Sequence, residues 1–134
     1  MARIETYRGL TREKLEALSL EESLPLITSR GRRAVKRALE GKNTKLRQFI
    51  KKVDEMRKKT SKKPIRTHIR DAVILPFWIG LEFAVHNGKE FKPLTITIDK
   101  IGYRLGEFAH STGRVLHSGP GIGATRGSKF IPLK

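Results

Sequence analysis

The sequence predicts a small α+β protein: a three-stranded, mainly antiparallel sheet with packed helices, an N-terminal helical extension and an extended C-terminal tail. Three observations predict this class. Apolar and β-branched residues flank Asn87-Gly88 between Phe83 and Ile98, which is typical of a β-hairpin. Two upstream segments repeat apolar residues at helical spacing. Beyond residue 110, glycine, proline and polar residues replace both patterns.

The turn of the hairpin determines how its two strands pair. A two-residue loop at Asn87-Gly88 would place Phe83 opposite Lys92. A three-residue loop with a bulge at the glycine would place Phe83 and Val85 on the same face as Phe91. We favour the three-residue loop because it gathers the apolar side chains on one face.

Residues 11–29 are leucine-rich on one side and acidic or polar on the other. Thr11 is suited to cap a first short helix, and Ser19 with Glu22 has the spacing of a capping box that opens a second. We interpret this segment as a helical cap on the core. The alternative is a protein-contact surface.

Residues 30–59 predict a helical hairpin that is apolar inside and basic outside. Gly41 is suited to end its first helix, and Asn43 to cap the second, which covers about residues 44–58. A charged linker, residues 58–63, has no hydrophobic anchor, so we expect it to be disordered.

Two further segments complete the predicted core. Residues 65–75 first alternate apolar and basic side chains and then become continuously apolar, which predicts the third strand. Pro93 indicates an edge position or a bulge in the second strand of the hairpin. Asp99 can cap a last helix, in which Gly102 and Gly106 suggest the close approach of another backbone.

The chain has 29 Lys and Arg against 13 Asp and Glu, a formal net charge of +16. Residues 30–70 hold 17 basic and 3 acidic residues, net +14, whereas residues 1–29 have a net charge of −1 and residues 71–134 of +3. Charge concentrated in this way favours a polyanionic partner. Nucleic acid is the first choice and an anionic membrane surface the second, while a merely solvated face normally mixes both signs.

The sequence indicates neither enzymatic nor metal chemistry, and no cofactor. It has no cysteine, its four histidines lack metal-ligand spacing, and its carboxylates are scattered. Gly119-Pro-Gly121-Ile-Gly-Ala124 matches a dinucleotide fingerprint by letters alone, because no strand is predicted before it and no acidic residue follows. No apolar run reaches the length of a membrane span and the N-terminus lacks the form of a signal peptide, so we expect a soluble intracellular protein.

Several motifs occur in the order found in one family. Pro64-Ile-Arg-Thr-His68, Val85-His-Asn-Gly-Lys-Glu-Phe91 and Leu105-Gly-Glu-Phe-Ala109 resemble the family of small-subunit ribosomal protein nineteen. His117-Ser-Gly-Pro-Gly-Ile-Gly-Ala-Thr-Arg126 looks like its archaeal and eukaryotic branch. Phe77-Trp78-Ile79 stands where the family commonly has Glu-Met-Val.

The resemblance implies a non-catalytic place in the head of the small ribosomal subunit, in the cytoplasm, bound to small-subunit rRNA. It also implies a neighbouring ribosomal protein of family thirteen, contacts toward the large subunit, and a C-terminal tail that reaches the decoding region and A-site tRNA. The alternative function is that of a free nucleic-acid-binding or RNA-chaperone protein acting off the ribosome.

We therefore predict a basic helical extension (residues 1–63), an α+β rRNA-binding core (residues 64–110) and a glycine-rich basic tail (residues 111–134). Deleting residues 117–134 should spare the fold and assembly but impair tRNA handling. The RNA contacts are expected from basic side chains and histidines of all three segments, namely Arg30, Arg32, Arg33, Lys36, Arg37, Lys51, Lys52, Lys62, Lys63, Arg66, His68, Arg70, Lys89, Arg114, His117, Arg126 and Lys129.

Overall fold

The computed structural model describes residues 5–59 and 63–114 and confirms an α+β fold. A short antiparallel hairpin of β1 (Thr6–Tyr7) and β2 (Leu10–Thr11) precedes four helices. The helices are α1 (Arg12–Ala17), α2 (Leu20–Ser23), α3 (Ser29–Leu39) and α4 (Thr44–Lys58). The main sheet comprises β3 (Ile65–Thr67), β4 (Glu82–His86) and β5 (Phe91–Thr95). Four 3₁₀ turns lie at Leu24–Leu26, Pro76–Trp78, Ile98–Lys100 and Leu105–Phe108.

The helix boundaries follow local signals in the sequence. The predicted capping box is confirmed: the Ser19 N–H donates to the Glu22 carboxylate (2.9 Å), and the Ser19 hydroxyl accepts from the Glu22 N–H (3.4 Å). Asn43 Oδ1 accepts an N–H from the first turn of α4 at 3.1 Å. Gly41 follows α3 with a φ of +89°, a conformation that glycine adopts without strain. Thr11 precedes α1, but its side chain makes no capping hydrogen bond.

The sheet has the order β3-β4-β5 and is mixed, which corrects the mainly antiparallel arrangement that we predicted. β3 and β4 are parallel, with Ile65 beside Phe83, because residues 68–81 carry the chain back before β4 begins. β4 and β5 are antiparallel. The edge position predicted from Pro93 is confirmed, since β5 pairs with β4 alone.

Both loop lengths predicted for the β4–β5 hairpin are wrong. The loop comprises four residues, 87–90, because Asn87 Oδ1 accepts two N–H groups within it, at 3.0 and 2.9 Å. Phe83 consequently lies opposite Leu94, and both are buried. Phe91 belongs to the other face of the sheet, where it is 36% exposed.

The third strand and the last helix are shorter than predicted. The strand ends at Thr67, and residues 72–75 are buried without belonging to a sheet; they run beside residues 102–105, with Ile74 N–H donating to the Tyr103 carbonyl at 2.8 Å. The helix predicted after Asp99 is wrong, because Gly102, at a φ of +84°, separates two 3₁₀ turns. The close backbone approach is confirmed at both glycines: the Gly102 N–H donates to the Ile74 carbonyl at 3.0 Å and the Gly106 N–H donates to the Arg70 carbonyl at 2.8 Å. An added Cβ would be crowded by backbone only at Gly106.

One hydrophobic cluster joins residues from Leu15 to Ala109, so the N-terminal helices and the sheet share a core. Trp78 lies at its centre, fully buried, with its ring centroid 5.9 Å from that of Phe49 and 5.5 Å from that of Phe83. The three residues Phe77-Trp78-Ile79, which depart from the family pattern, are therefore part of the hydrophobic core. In the described ranges, the helices are too short or too polar to cross a membrane.

Candidate nucleic-acid interface

The hairpin of α3 and α4 separates apolar from basic side chains. Val35 and Ala38 of α3, with Phe49 and Val53 of α4, are buried. The opposite side exposes cations that we call the basic helical face: Arg30, Arg33, Lys36, Arg37, Lys51 and Lys52. Within residues 5–59 and 63–114, the salt bridges involve Arg12, Lys42 and Lys92, none of which belongs to the basic helical face, so this face remains available to a phosphate backbone.

Arg32, although it lies on the same helix, turns its guanidinium toward the protein. Its Nε donates to the Leu24 carbonyl at 3.0 Å, and its Nη2 donates to the carbonyls of Pro25 (3.2 Å) and Ile27 (3.5 Å). These bonds hold α3 against the preceding 3₁₀ turn. We therefore assign Arg32 to folding and leave it out of the interface.

Arg70 serves in the same way between the sheet and the last 3₁₀ turn. Its Nη1 donates to the His86 carbonyl at 2.8 Å, while its Nη2 donates to the carbonyls of Gly106 (3.0 Å) and Ala109. The side chain is half-buried, and the guanidinium fork satisfies three carbonyls from two segments. It is therefore a structural residue rather than a free phosphate ligand.

Three rings pack against one another, in a triangle, at one end of the open face of the sheet. His68 follows β3, His86 ends β4 and Phe91 begins β5. The centroids of His68 and His86 are 4.4 Å apart, and that of Phe91 lies 5.2 Å and 4.9 Å from them. The guanidinium carbon of Arg66 is 5.6 Å from the Phe91 centroid. We call these four side chains the ring row.

Backbone N–H groups order the chain around His68 and the side chain of His86. Thr67 Oγ1 accepts the Ile69 N–H at 3.0 Å, which turns the chain sharply around His68. His86 Nδ1 accepts the Gly88 N–H at 3.1 Å. A neutral imidazole that accepts through Nδ1 carries its proton on Nε2, so His86 presents a donor on its other edge.

A groove of about 500 Å³ lies between the 87–90 loop and residues 108–113. Lys89, Lys92 and His110 line it. Lys92 Nζ lies 2.7 Å from the Glu90 carboxylate, and this hydrogen bond holds the pKa of Glu90 below its usual value. Lys89 is exposed beside it.

Arg66, His68, Lys63 and Arg114, like the basic helical face, are exposed. Lys62, His117, Arg126 and Lys129 lie outside the described residues, as do residues 60–62 of the predicted linker and nearly all of the predicted tail. Phe91 lies on the face of the sheet opposite to the predicted one, because the loop length determines which side chains of β5 share a face with Phe83. The signal in the sequence is Asn87 itself, because an Asn at the start of a loop tends to accept hydrogen bonds from the N–H groups that follow it and so favours a longer loop.

Comparison with known proteins identifies the family. The family model described as Ribosomal protein S19 matches residues 36–117, well over half of the chain. The chain belongs to the ribosomal protein S19 family. The Small ribosomal subunit protein uS19 of Haloquadratum walsbyi is 45% identical over 129 residues, which cover 96% of this chain and 91% of that protein.

Family membership confirms the resemblance drawn from the motifs between residues 64 and 109. The residues matched to the S19 family include α4, the whole main sheet and the ring row. They also include the Phe77-Trp78-Ile79 departure, which the fold accommodates as core. The archaeal relative aligns beyond both ends of this match, which agrees with the branch indicated by the motif of residues 117–126.

Proposed function

We propose that this S19-family protein is a structural, non-catalytic component of the small ribosomal subunit head that binds small-subunit rRNA. The observation that supports this most directly is the basic helical face, a set of exposed cations on a rigid helical hairpin. The name of the relative, Small ribosomal subunit protein uS19, supports the same assignment. Rigid cations can hold a phosphate backbone in a fixed register without reading its sequence.

The individual partners are inferred from the family resemblance. We propose a ribosomal protein of family thirteen as neighbour, contacts toward the large subunit and a cytoplasmic ribosome as location. We also propose that residues 117–134 reach A-site tRNA. Deleting them should leave the fold and incorporation into subunits unchanged while tRNA handling declines. Loss of the folded sheet in this deletion would contradict the assignment of the segment as a tail.

The basic helical face can be tested through the salt dependence of RNA binding. Lys52→Ala removes an exposed cation from this face, so the slope of log affinity against log salt should fall by about 1 for small-subunit rRNA. Lys14→Ala is the matched control, since Lys14 is an exposed cation on the acidic N-terminal segment. Equal slopes for the two variants would refute the placement of phosphate on α4.

Location separates the ribosomal role from the alternative of a free nucleic-acid-binding or RNA-chaperone protein. A structural component should co-sediment with small subunits after a high-salt wash, because many phosphate contacts and packed neighbours act together. An off-ribosome protein should be removed by the wash, since electrostatic binding alone weakens steeply with salt. Release of the full-length protein under these conditions would overturn the ribosomal assignment.

A further inference from the structure

We propose that the ring row of His68, His86, Phe91 and Arg66 is a stacking site for one unpaired nucleobase of RNA. This inference rests on the proposed function, because it assigns a base-binding site to a protein proposed to hold rRNA by its phosphates. Only 7% of the residues are aromatic, which disfavours a general single-strand binder. The structure nevertheless concentrates three rings at one accessible place.

The geometry of the ring row is suited to a flat ligand. The planes of His68 and His86 are tilted by 40° at a centroid distance of 4.4 Å, close to an offset stack. Phe91 meets both imidazoles edge-on, at 76° and 66°. His68 is exposed and Phe91 is 36% exposed, so ring surface remains accessible to solvent.

The residues beside the rings on the sheet have small side chains, which leave space above the sheet. Arg66 pairs in register with Ala84, and Ala84 pairs with Pro93, so these three side chains share the open face of the sheet. Alanine and proline leave room for the Arg66 guanidinium to lie over Phe91. A planar cation beside planar rings can stack on a base and also attract its phosphate.

The charges around the ring row favour RNA over a protein helix as occupant. Arg66 and Lys89 contribute exposed positive charge, and the nearby Glu90 carboxylate is engaged by Lys92 at 2.7 Å. His86 presents its Nε2–H donor, which suits the acceptor atoms on a base edge. An apolar helix would leave these polar edges unpaired.

The site is built before any ligand arrives. The Gly88 N–H bond fixes the His86 imidazole, the Ile69 N–H bond to Thr67 fixes the backbone around His68, and Arg70 donates to the His86 carbonyl at 2.8 Å. Ordered side chains lose little conformational freedom on binding, so more of the stacking energy appears as affinity.

The test uses the full-length protein and an RNA hairpin with a single bulged 2-aminopurine, whose fluorescence is quenched by stacking. The reference is the same hairpin with the 2-aminopurine paired. Wild type should quench the bulged base and bind the bulged hairpin about 5- to 150-fold more tightly, the range expected for one base stacked on aromatic rings. Phe91→Leu, which keeps an apolar side chain but removes the ring, should lose most of that preference with an unchanged salt slope.

Tyr103→Leu is the matched control, because Tyr103 is a 52% exposed ring that packs on Phe108 and not on the rings of His68, His86 or Phe91. It should retain the preference for the bulge. Salt-dependent binding without any preference in wild type would overturn the stacking site and leave the proposed function standing. A preference that survives in Phe91→Leu would also overturn it. Absence of binding to both RNAs at low salt would refute the stacking site together with the phosphate contacts on which it rests.

Discussion

Gly106 lies where two segments of backbone meet, and replacing it with alanine tests whether that contact supports the fold. Its N–H donates to the Arg70 carbonyl at 2.8 Å. A Cβ added to Gly106 would lie 2.9 Å from both the Cβ and the carbonyl oxygen of Arg70. The backbone at Gly106 does not need a left-handed conformation, so the expected effect of Gly106→Ala is steric.

The magnitude follows from three contributions to the free energy of unfolding. Separating the overlapping atoms costs about 1–3 kcal/mol, as in an overpacked core. Weakening the Gly106–Arg70 hydrogen bond adds about 0.5–1.5 kcal/mol. The lower entropy of the unfolded alanine chain offsets about 0.4–1 kcal/mol. The three contributions give a net loss between about 0.5 and 4 kcal/mol, with a centre near 2 kcal/mol that lowers Tm by roughly 6–10 °C for a domain of this size.

Urea unfolding followed by the fluorescence of Trp78, the only tryptophan in the chain and fully buried, measures this loss. Gly113→Ala is the matched control, because no atom lies within 4 Å of its added Cβ and its φ is ordinary. It should change stability by less than about 0.5 kcal/mol. Equal urea midpoints for Gly106→Ala and wild type would refute the steric argument.

Three further substitutions test the interior. Arg70→Lys keeps the charge but leaves most of its three carbonyls unpaired, so we expect a loss of about 2–4 kcal/mol in urea unfolding, against less than about 1 kcal/mol for exposed Arg66→Lys. The indole N–H of Trp78 has no hydrogen-bond partner within the described part of the chain; Trp78→Phe removes that unpaired donor and should be about 2 kcal/mol more stable than Trp78→Ala by circular dichroism. Burial raises the pKa of Asp54 despite nearby cations. A carboxyl with a raised folded pKa stabilises the fold when protonated and loses that contribution as pH rises through the folded pKa. Asp54→Asn should therefore be more stable than wild type at pH 7 and equal to it near pH 3.

The helices could be predicted because their signals are local. Ser19 and Glu22 bond each other three residues apart, and Asn43 bonds the first turn of the helix that it caps. Gly41 ends α3 within its own backbone. None of these interactions depends on a distant segment, so spacing in the sequence was sufficient.

The sheet could be predicted only in part because register and direction depend on distant or competing interactions. Asn87 accepts two hydrogen bonds within its own loop and so adds a residue to the length that we favoured. One extra residue changes which side chains of β5 face the core. Phe91 therefore moved from the predicted core to the open face of the sheet. Residues 72–75 looked like a buried strand because burial against residues 102–105 gives the same apolar run.

The same limit applies to the interface, because a sequence shows the charge of an arginine but not what its guanidinium contacts. Arg66 and Arg70 belong to the same alternating pattern of apolar and basic residues, yet their side chains differ in role. Arg66 lies over an exposed ring, whereas Arg70 donates to three carbonyls. Aromatic content of 7% likewise averages over the whole chain and conceals the ring row. A stacking site needs only a few rings in one place, and pairing across three strands brings His68, His86 and Phe91 together from positions up to 23 residues apart. The surface that binds by charge and the surface that binds by stacking are thus separate on this fold. Variants of Lys52 and Phe91 should affect the two kinds of binding independently.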